Sequence, residues 1–485
     1  MKKGFVRYGA LGIGLLVLAA AALVVFSPSG YGTTPDKEGF APMNPEFIKF
    51  MNDRAAGKKW ATVTEDGYPL GDLPSPHDTS HLIPLPDPVP PASLPKTYDL
   101  RTKNKVTSVK NQGNYGTCWA FATFGSLESY LKPGATWDFS EWNLADNHGF
   151  DYSINDGGHM FMSAAYLGRW SGPINETDDP YHSAAPDGYS PKKHVQNIIM
   201  MDERKNATDN VKIKNALMNN GAVYVSFCWF DSAYNSTNAA YYYSGSTQGG
   251  GHAVTIVGWD DNYSKSKFKS APSGNGAFIV KNSWGTSWGK SGYFYVSYYD
   301  NWFGKRGGTA IFKGEPTTNY KTNYGYDPLG WVGSAYTDSA GSTKWFSNIF
   351  TASVAGSLKA VGFYASANTN TYEIYIYTNV TANKPRSGTL KKTKKGTVNG
   401  WGYYTIPLGT NVPLTKGQKF SVVVKLTTKS YNYPIPIEYK VSGYSSGATA
   451  KAGQSFVSSN GTTWTDAFKK WGSNNVNVCL RGYTK

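Results

Sequence analysis

Three cysteines in 485 residues, Cys118, Cys228 and Cys479, are too few for a disulfide framework. Charged residues make up only 17%, which does not fit a charge-laced helical cytosolic protein. No internal repeat is visible, which argues against a propeller or a solenoid. His148, His159, His182 and His194 show no metal-ligand spacing, so neither a metal nor another cofactor is expected. Cys228, in the apolar run Ala222–Phe230, and Cys479, near the end of the chain, read as small buried hydrophobes. A bridge between those two stays open at this level.

What the chain does have is 15% aromatic residues and abundant Gly, Ser, Thr and Asn, a mixture that suits β-rich, turn-rich extracellular proteins. Its length calls for two or three folded units. Lys2, Lys3 and Arg7 precede an uncharged, apolar run over Tyr8–Phe26, the pattern of an export segment with its basic end kept inside. Residues 1–30 therefore serve as a cleaved signal peptide or a retained transmembrane anchor. The rest would lie outside the cytoplasm, secreted or held at the cell surface, with membrane contact only through residues 8–26. Asn-x-Ser/Thr triplets at Asn175, Asn206, Asn235, Asn262, Asn379 and Asn460 fit a glycosylatable surface.

Residues 31–93 are rich in Pro, Asp and Gly and read as a pro-region or linker. Pro74–Pro91 is unable to form a helix or central strand, and one short helix is expected upstream at Pro45–Ala55. Residues 94–315 form the first folded unit. Helices are expected at Cys118–Leu131, from an N-cap at Ser140, and at His159–Arg169. Strands follow at Ala222–Phe230, His252–Trp259, Ala277–Lys281 and Tyr293–Tyr298. Helices first and strands second give an α+β unit with a cleft between two lobes. Residues 320–485 turn to short strands between Gly, Asn and Ser turns, the pattern of an all-β sandwich of jelly-roll type. The charge is uneven: residues 320–485 hold 19 basic and 5 acidic side chains, a net +14 out of the chain's +15.

The chemistry concentrates in Val109–Ala122, Val-Lys-Asn-Gln-Gly-Asn-Tyr-Gly-Thr-Cys-Trp-Ala-Phe-Ala. It sets Cys118 at the start of an apolar helical run, where the helix dipole and unpaired N–H groups lower a thiol's pKa. Gln112 stands six positions upstream. His252 opens the strand-like run His-Ala-Val-Thr-Ile-Val-Gly-Trp, and Asn282 lies in Val-Lys-Asn-Ser-Trp-Gly. A thiol, a histidine and an orienting amide are the parts of a thiol hydrolase. Singly, each has a plainer role in a core, a strand end or a turn.

Over about residues 94–312 the chain resembles the papain family of cysteine peptidases. The carrying stretches are Leu94–Arg101, Lys110–Ala122, Gly250–Trp259 and Lys281–Tyr295, in that order. The resemblance implies a two-lobed fold, a helical lobe and a β-barrel-like lobe, acting on polypeptide substrates. It implies Cys118 as nucleophile, paired as thiolate with a protonated His252, and Asn282 orienting the imidazole. Trp284 would shield that bond and border the substrate, and Gln112 would donate to the oxyanion. Gly157 and Gly158 would pair with the substrate backbone as an extended strand. Cys118 to His252 spans 134 positions, inside the family's spacing, whereas Cys118 to Asn282 spans 164. The excess sits in Asp260–Gly276, expected to loop out of the sheet and away from the cleft. His159, which follows the glycine pair, is a further cleft candidate.

The chain departs from the family in three places. Tyr115 stands where many relatives have a bridged cysteine, so packing must replace that staple. Gly251 stands where relatives often carry a larger residue. The pro-region lacks the long helical inhibitor motif of well-known members, and inhibition by residues 32–95 is an expectation only. Residues 320–485 resemble the lectin-like sandwich appended to some prokaryotic cell-surface papain-like peptidases, through Asn348–Ala352, Leu358–Tyr364, Tyr372–Asn379, Lys416–Lys425 and Ala452–Ser458. Its partner would be a surface glycan or an anionic wall polymer, and no nucleic acid. The Lys391–Lys395 cluster reads as a solvated hairpin tip. The expectation is an exported cysteine endopeptidase with an accessory surface-binding domain. The alternatives are an adhesin with a vestigial cleft, and a thiol transpeptidase or transglutaminase; Asn282 tilts against the transglutaminase, which usually has an acid there.

Overall fold

The computed structural model describes residues 39–58, 62–84, 94–182 and 188–485. The expected export segment at residues 8–26 lies outside them. Among the described residues no helix is long and apolar enough to cross a membrane.

Helix α1 spans Pro45–Ala55, as its sequence predicts: Asn44 caps it by accepting the Glu46 N–H, and Pro45 opens its first turn. Helix α2 (Cys118–Leu131) is buried along 12 of its 14 residues, because it runs between the two lobes and carries apolar or small side chains nearly all round. It packs on the strands Val223–Trp229, Gly250–Asp260 and Thr309–Glu315. A Cβ on Gly125 would stand 2.5 Å from Thr255 Oγ1, so glycine lets the helix approach the histidine strand closely. Helix α3 (Glu141–Asp146) begins at the expected cap, with Ser140 accepting the Asn143 N–H, and α4 is Met160–Gly168.

The strands of the first unit form an antiparallel sheet in the order 194–201, 309–315, 223–229, 250–260, 277–281, 293–297. Three of its elements escaped the sequence reading: His194–Met201, helix α5 (Val211–Asn220) and Thr309–Glu315. The insertion after Asp260 leaves the sheet as expected, eight residues along the strand from His252. It is not loose, however, because Tyr263 and Phe268 pack on Ala240 and Ala277.

The last third is a sandwich of two sheets, with a small third sheet of strands 333–335, 435–438 and 477–478 beside them. One runs 389–399, 369–378, 419–428, 343–351, 455–458, 465–466. The other contains 401–414, 356–365, 480–484 and 322–324. Leu358, Val361 and Phe363 from one sheet share a core with Ile374, Ile376, Val422 and Val424 from the other. The Lys391–Lys395 cluster is not a hairpin tip. It lies within the strand Thr389–Asn399, which ends its sheet and pairs with Thr369–Thr378. The lysine pairs 391–392 and 394–395 keep such an edge strand soluble and free of a further strand, which is why composition alone reads as a turn.

The two expected units are not separated by a gap. Trp401–Tyr403 of the sandwich pairs antiparallel with Met200–Ile198 of the first unit, so one sheet runs through both. Gly402 makes the junction possible: its φ is +132°, and a Cβ there would meet Ile198 O at 2.1 Å.

Residues 39–58 and 62–84 form a strap that touches both units. Phe40 packs on Tyr439 and Trp471, and Phe47 packs edge-on against Tyr444. His77 Nε2 meets Trp331 O at 2.9 Å, and His81 stacks on Tyr431 at 3.6 Å. The described part of the Pro-rich stretch, residues 74–84, is neither helix nor extended strand, and it lies on the sandwich rather than in solvent.

Candidate active site

Cys118 is the first residue of α2, His252 lies near the start of the Gly250–Asp260 strand, and Asn282 follows the Ala277–Lys281 strand. The fold brings the three together. His252 Nε2 and Asn282 Oδ1 are 2.8 Å apart, and the Ala253 N–H points at Cys118 Sγ from 3.5 Å. The Trp284 ring stacks on His252 at 4.6 Å, with 21° between planes, and so covers the imidazole beside its bond to Asn282. Trp229 and Trp288 meet Trp284 edge-on from two sides and hold it in place.

Gln112 is fully buried, and its side chain is fixed at both ends. Ser283 Oγ donates to Oε1 at 2.7 Å, which leaves Nε2 facing the cleft, where it donates to Tyr115 O at 2.8 Å and Pro69 O at 3.1 Å. Tyr181 holds the same loop, its hydroxyl donating to Gln112 O at 2.9 Å and lying 2.6 Å from Thr117 Oγ1. The missing staple at Tyr115 is replaced by rings: Tyr115 meets Trp142 edge-on at 5.1 Å and Tyr181 at 6.3 Å, and tilts over His182 at 4.9 Å.

Pro69 O belongs to the strap, and the cleft is full of it. The Gly158 N–H donates to Gly71 O, and the Leu73 N–H donates to Gly158 O, both at 2.9 Å. The Asp72 N–H donates to Gly251 O at 3.0 Å, and Tyr68 stacks on Trp284 at 4.8 Å. Gly158 makes both backbone bonds of the expected glycine pair, while Gly157 lies against Gly71, where a Cβ would meet Gly71 O at 2.5 Å. His159 is not a cleft residue. Its Nε2 lies 3.3 Å from Tyr444 OH, in the contact with the sandwich.

In the covered cleft both groups of the pair are shifted toward their neutral forms. Burial, with the Asp72 carboxylate nearby, pushes the Cys118 thiol up to about 12, against the backbone N–H groups that aim at it. Burial likewise lowers His252 to about 4, opposed by its bond to Asn282. Both shifts oppose the expected thiolate–imidazolium pair while the cleft is covered. Helix dipole and N–H donors do not outweigh removal from water.

Cys228 and Cys479 are buried free thiols, so no bridge joins them. Among the described residues no group of three or more His, Cys, Asp or Glu is arranged to hold a metal ion. Asp72, Tyr181, Ser283 and Arg306 border the site and were missed by the sequence reading. Ser283 is signalled by its place beside Asn282. The others carry no local pattern.

Residues 94–309 match the profile of the papain family cysteine protease, and residues 323–484 that of the lectin-like domain. The chain carries a papain-family cysteine protease domain and a lectin-like domain. The protease domain is 34% identical over 217 residues to a viral cathepsin of Choristoneura fumiferana defective polyhedrosis virus, covering 43% of this chain and 60% of the relative. It is 32% identical over 229 residues to cysteine proteinase 15A of Pisum sativum, with 43% and 59% covered. The chain thus spans about three fifths of the length of these curated relatives. Across both domains it has the fold of the cysteine protease and lectin-like domains of Cwp84, a surface layer associated protein of Clostridium difficile. That match has a TM-score of 0.76 at 24% identity, covering 94% of this chain and 99% of the other. A second structure of clostridial Cwp84, a cysteine-to-alanine form after propeptide cleavage, matches with a TM-score of 0.69 at 26% identity, covering 80% and 99%.

Proposed function

We propose that this chain is a latent cysteine endopeptidase, exported and retained at a cell surface, that hydrolyses peptide bonds in polypeptide substrates. The observation that carries the reading is the joint geometry of the cleft. His252 is held by Asn282 beside Cys118, and the Gln112 side-chain N–H already holds a peptide carbonyl, that of Pro69.

In the open site Cys118 Sγ, as thiolate, attacks the carbonyl carbon. The oxyanion accepts from Gln112 Nε2 and the Cys118 backbone N–H. His252 gives its proton to the leaving amine as the C–N bond breaks, which leaves a thioester. His252 then takes a proton from water, the hydroxide attacks the thioester, and the acid product departs with the thiolate restored. Asn282 and Trp284 keep the imidazole oriented through both steps.

Residues 39–84 act as the inhibitory pro-segment in this reading, since a substrate has no access while Tyr68–Leu73 fills the cleft. The propeptide-cleaved Cwp84 structure covers 80% of this chain against 94% for the other, which fits removal of a stretch somewhat longer than residues 39–84. An extracytoplasmic location agrees with the description of Cwp84 as a surface layer associated protein. The exposed lysines of the Thr389–Asn399 strand supply a face for an anionic wall polymer or glycan, held by screened electrostatics. Retention on cells that weakens with salt would support that role, and salt-independent retention would count against it.

Thiol labelling tests the catalytic claim. Full chain matured by limited proteolysis ahead of residue 94 is treated with an epoxide or iodoacetamide probe and assayed on a fluorogenic peptide. Labelling at Cys118 together with hydrolysis is expected, both lost in Cys118→Ser. Labelling confined to Cys228 or Cys479, without hydrolysis, would overturn the peptidase reading.

A further inference from the structure

Arg306 lies beside the cleft, and the chemistry proposed above makes no use of it. It is 4% exposed and stands next to Gly251, the residue that precedes His252. A Cβ on Gly251 would fall 1.9 Å from Arg306 Nη1 and 2.0 Å from Asp72 O, so the absent side chain is what opens this space to the guanidinium. Among the described residues its ion pairs are with Glu46, at 3.0 Å from Nη2, and Asp72, at 3.9 Å from Nη1. The second distance is too long for a hydrogen bond, and among the described residues Nη1 is a buried donor with no acceptor.

Both acidic partners belong to the strap: Glu46 on α1, and Asp72 in the segment paired with Gly158. The walls around the Asp72 carboxylate belong to the protease domain. Tyr224 OH donates to its Oδ1 at 3.1 Å and Ser226 Oγ at 2.9 Å, both from the Val223–Trp229 strand. Removing the strap therefore empties a pocket beside Cys118 that holds one buried cation and two hydroxyl donors, and takes away both carboxylates that pair with the cation. Covering such a cation with a neutral side chain leaves a desolvated, unpaired charge, which is costly.

We infer that Arg306 sets the specificity of the open cleft, and that the pocket it lines takes an acidic side chain, Asp or Glu, on the substrate residue seated against Gly158. The inference rests on the peptidase reading and on loss of the strap. In the latent chain Arg306 is shared with Glu46, and the Asp72 carboxyl is raised by burial first and by Glu46 last, against the pull of Arg306 and the two hydroxyls. In the matured chain the whole guanidinium charge faces one substrate carboxylate. Glutamate, one methylene longer than Asp72, also reaches the unused Nη1.

The test uses full chain matured by limited proteolysis ahead of residue 94. A fluorogenic peptide set carries a single Glu, Gln or Leu at each position flanking the cleaved bond. A parallel binding measurement titrates Tyr-Pro-Leu-Gly-Asp-Leu and its Asn counterpart into the matured Cys118→Ala protein. A hydrogen bond to a charged partner supports a preference of about tenfold or more. At one position kcat/KM for Glu is expected to exceed that for Gln and Leu by that factor. In Arg306→Gln the ratio should fall to about one, and Arg306→Lys should keep part of it. Cleavage with no acid preference at any position, or equal binding of the Asp and Asn peptides, overturns the inference. Acid-selective binding without cleavage of any peptide would uphold the pocket while defeating the peptidase reading.

Discussion

The strap holds the two domains by different physics. Its cleft arm, Tyr68–Leu73, is tied by backbone hydrogen bonds to Gly158 and Gly251, by hydrogen bonds from Tyr224 and Ser226 to the Asp72 side chain, and by Tyr68 stacked on Trp284. Its sandwich arm adds a set of packed rings, Phe40 on Tyr439 and Trp471, Phe47 on Tyr444 and His81 on Tyr431, to hydrogen bonds such as Ala41 N–H to Ser334 O and His77 to Trp331 O. The cleft arm meets groups that must later meet substrate, so it uses polar contacts that any extended chain can replace. The sandwich arm meets a surface with no such duty and adds shape to its polar contacts. The difference teaches that latency and anchoring are separable, and that each arm can be weakened without touching the other.

The largest effect is expected from losing both arms at once. Cutting the chain ahead of residue 94 should raise peptidase activity by about 100-fold or more over intact protein, read as initial rates on a fluorogenic peptide. Equal rates would show that the cleft arm does not block substrate. Phe47→Ala comes next. Emptying that fully buried site should destabilise the strap by about 3–5 kcal/mol, seen as faster proteolytic nicking of residues 39–84 with the cleft contacts still encoded.

Asp72 gives a smaller, pH-dependent effect. Burial raises its carboxyl from 3.8 to about 6, against the attraction of Arg306 and the hydrogen bonds from Ser226 and Tyr224. A raised carboxyl favours the docked state in its protonated form. The stabilisation is therefore complete below pH 3.8 and lost as pH rises through about 6. Hydrogen exchange at residues 68–73 of the full chain, corrected for intrinsic rates, should show the cleft arm loosening over that range. Asp72→Asn should flatten the profile, and an unchanged profile would assign the titration to another group.

The sequence made the catalytic chemistry legible because each part lies in a short run with strong local constraints. Cys118 opens a helix, His252 starts a strand, and Asn282 sits in a turn next to the Ser283 that orients Gln112. The helix at Pro45–Ala55 was legible from its proline and its polar face. What stayed hidden depends on distant pairing. Arg306 is one of 21 basic residues between positions 96 and 319, and only burial beside Gly251 singles it out. Asp72 reads as a loop acid until the strap is seen in the cleft. The strand His194–Met201 reads weakly because its partners come from residues 309–315 and 401–403, more than 100 positions away.

That last strand has a consequence for how the two domains can exist. Without the sandwich, His194–Met201 would be the bare border of the protease sheet, presenting unpaired N–H and C=O groups next to Val195, Ile198 and Met200. Such a border invites another chain to add a strand to it. The three-residue pairing with Trp401–Tyr403 covers Ile198–Met200 of it. The lectin-like domain thus covers part of its neighbour's sheet border, and a protease domain released without it would carry Ile198–Met200 as an open edge, which its tendency to self-associate in solution would reveal.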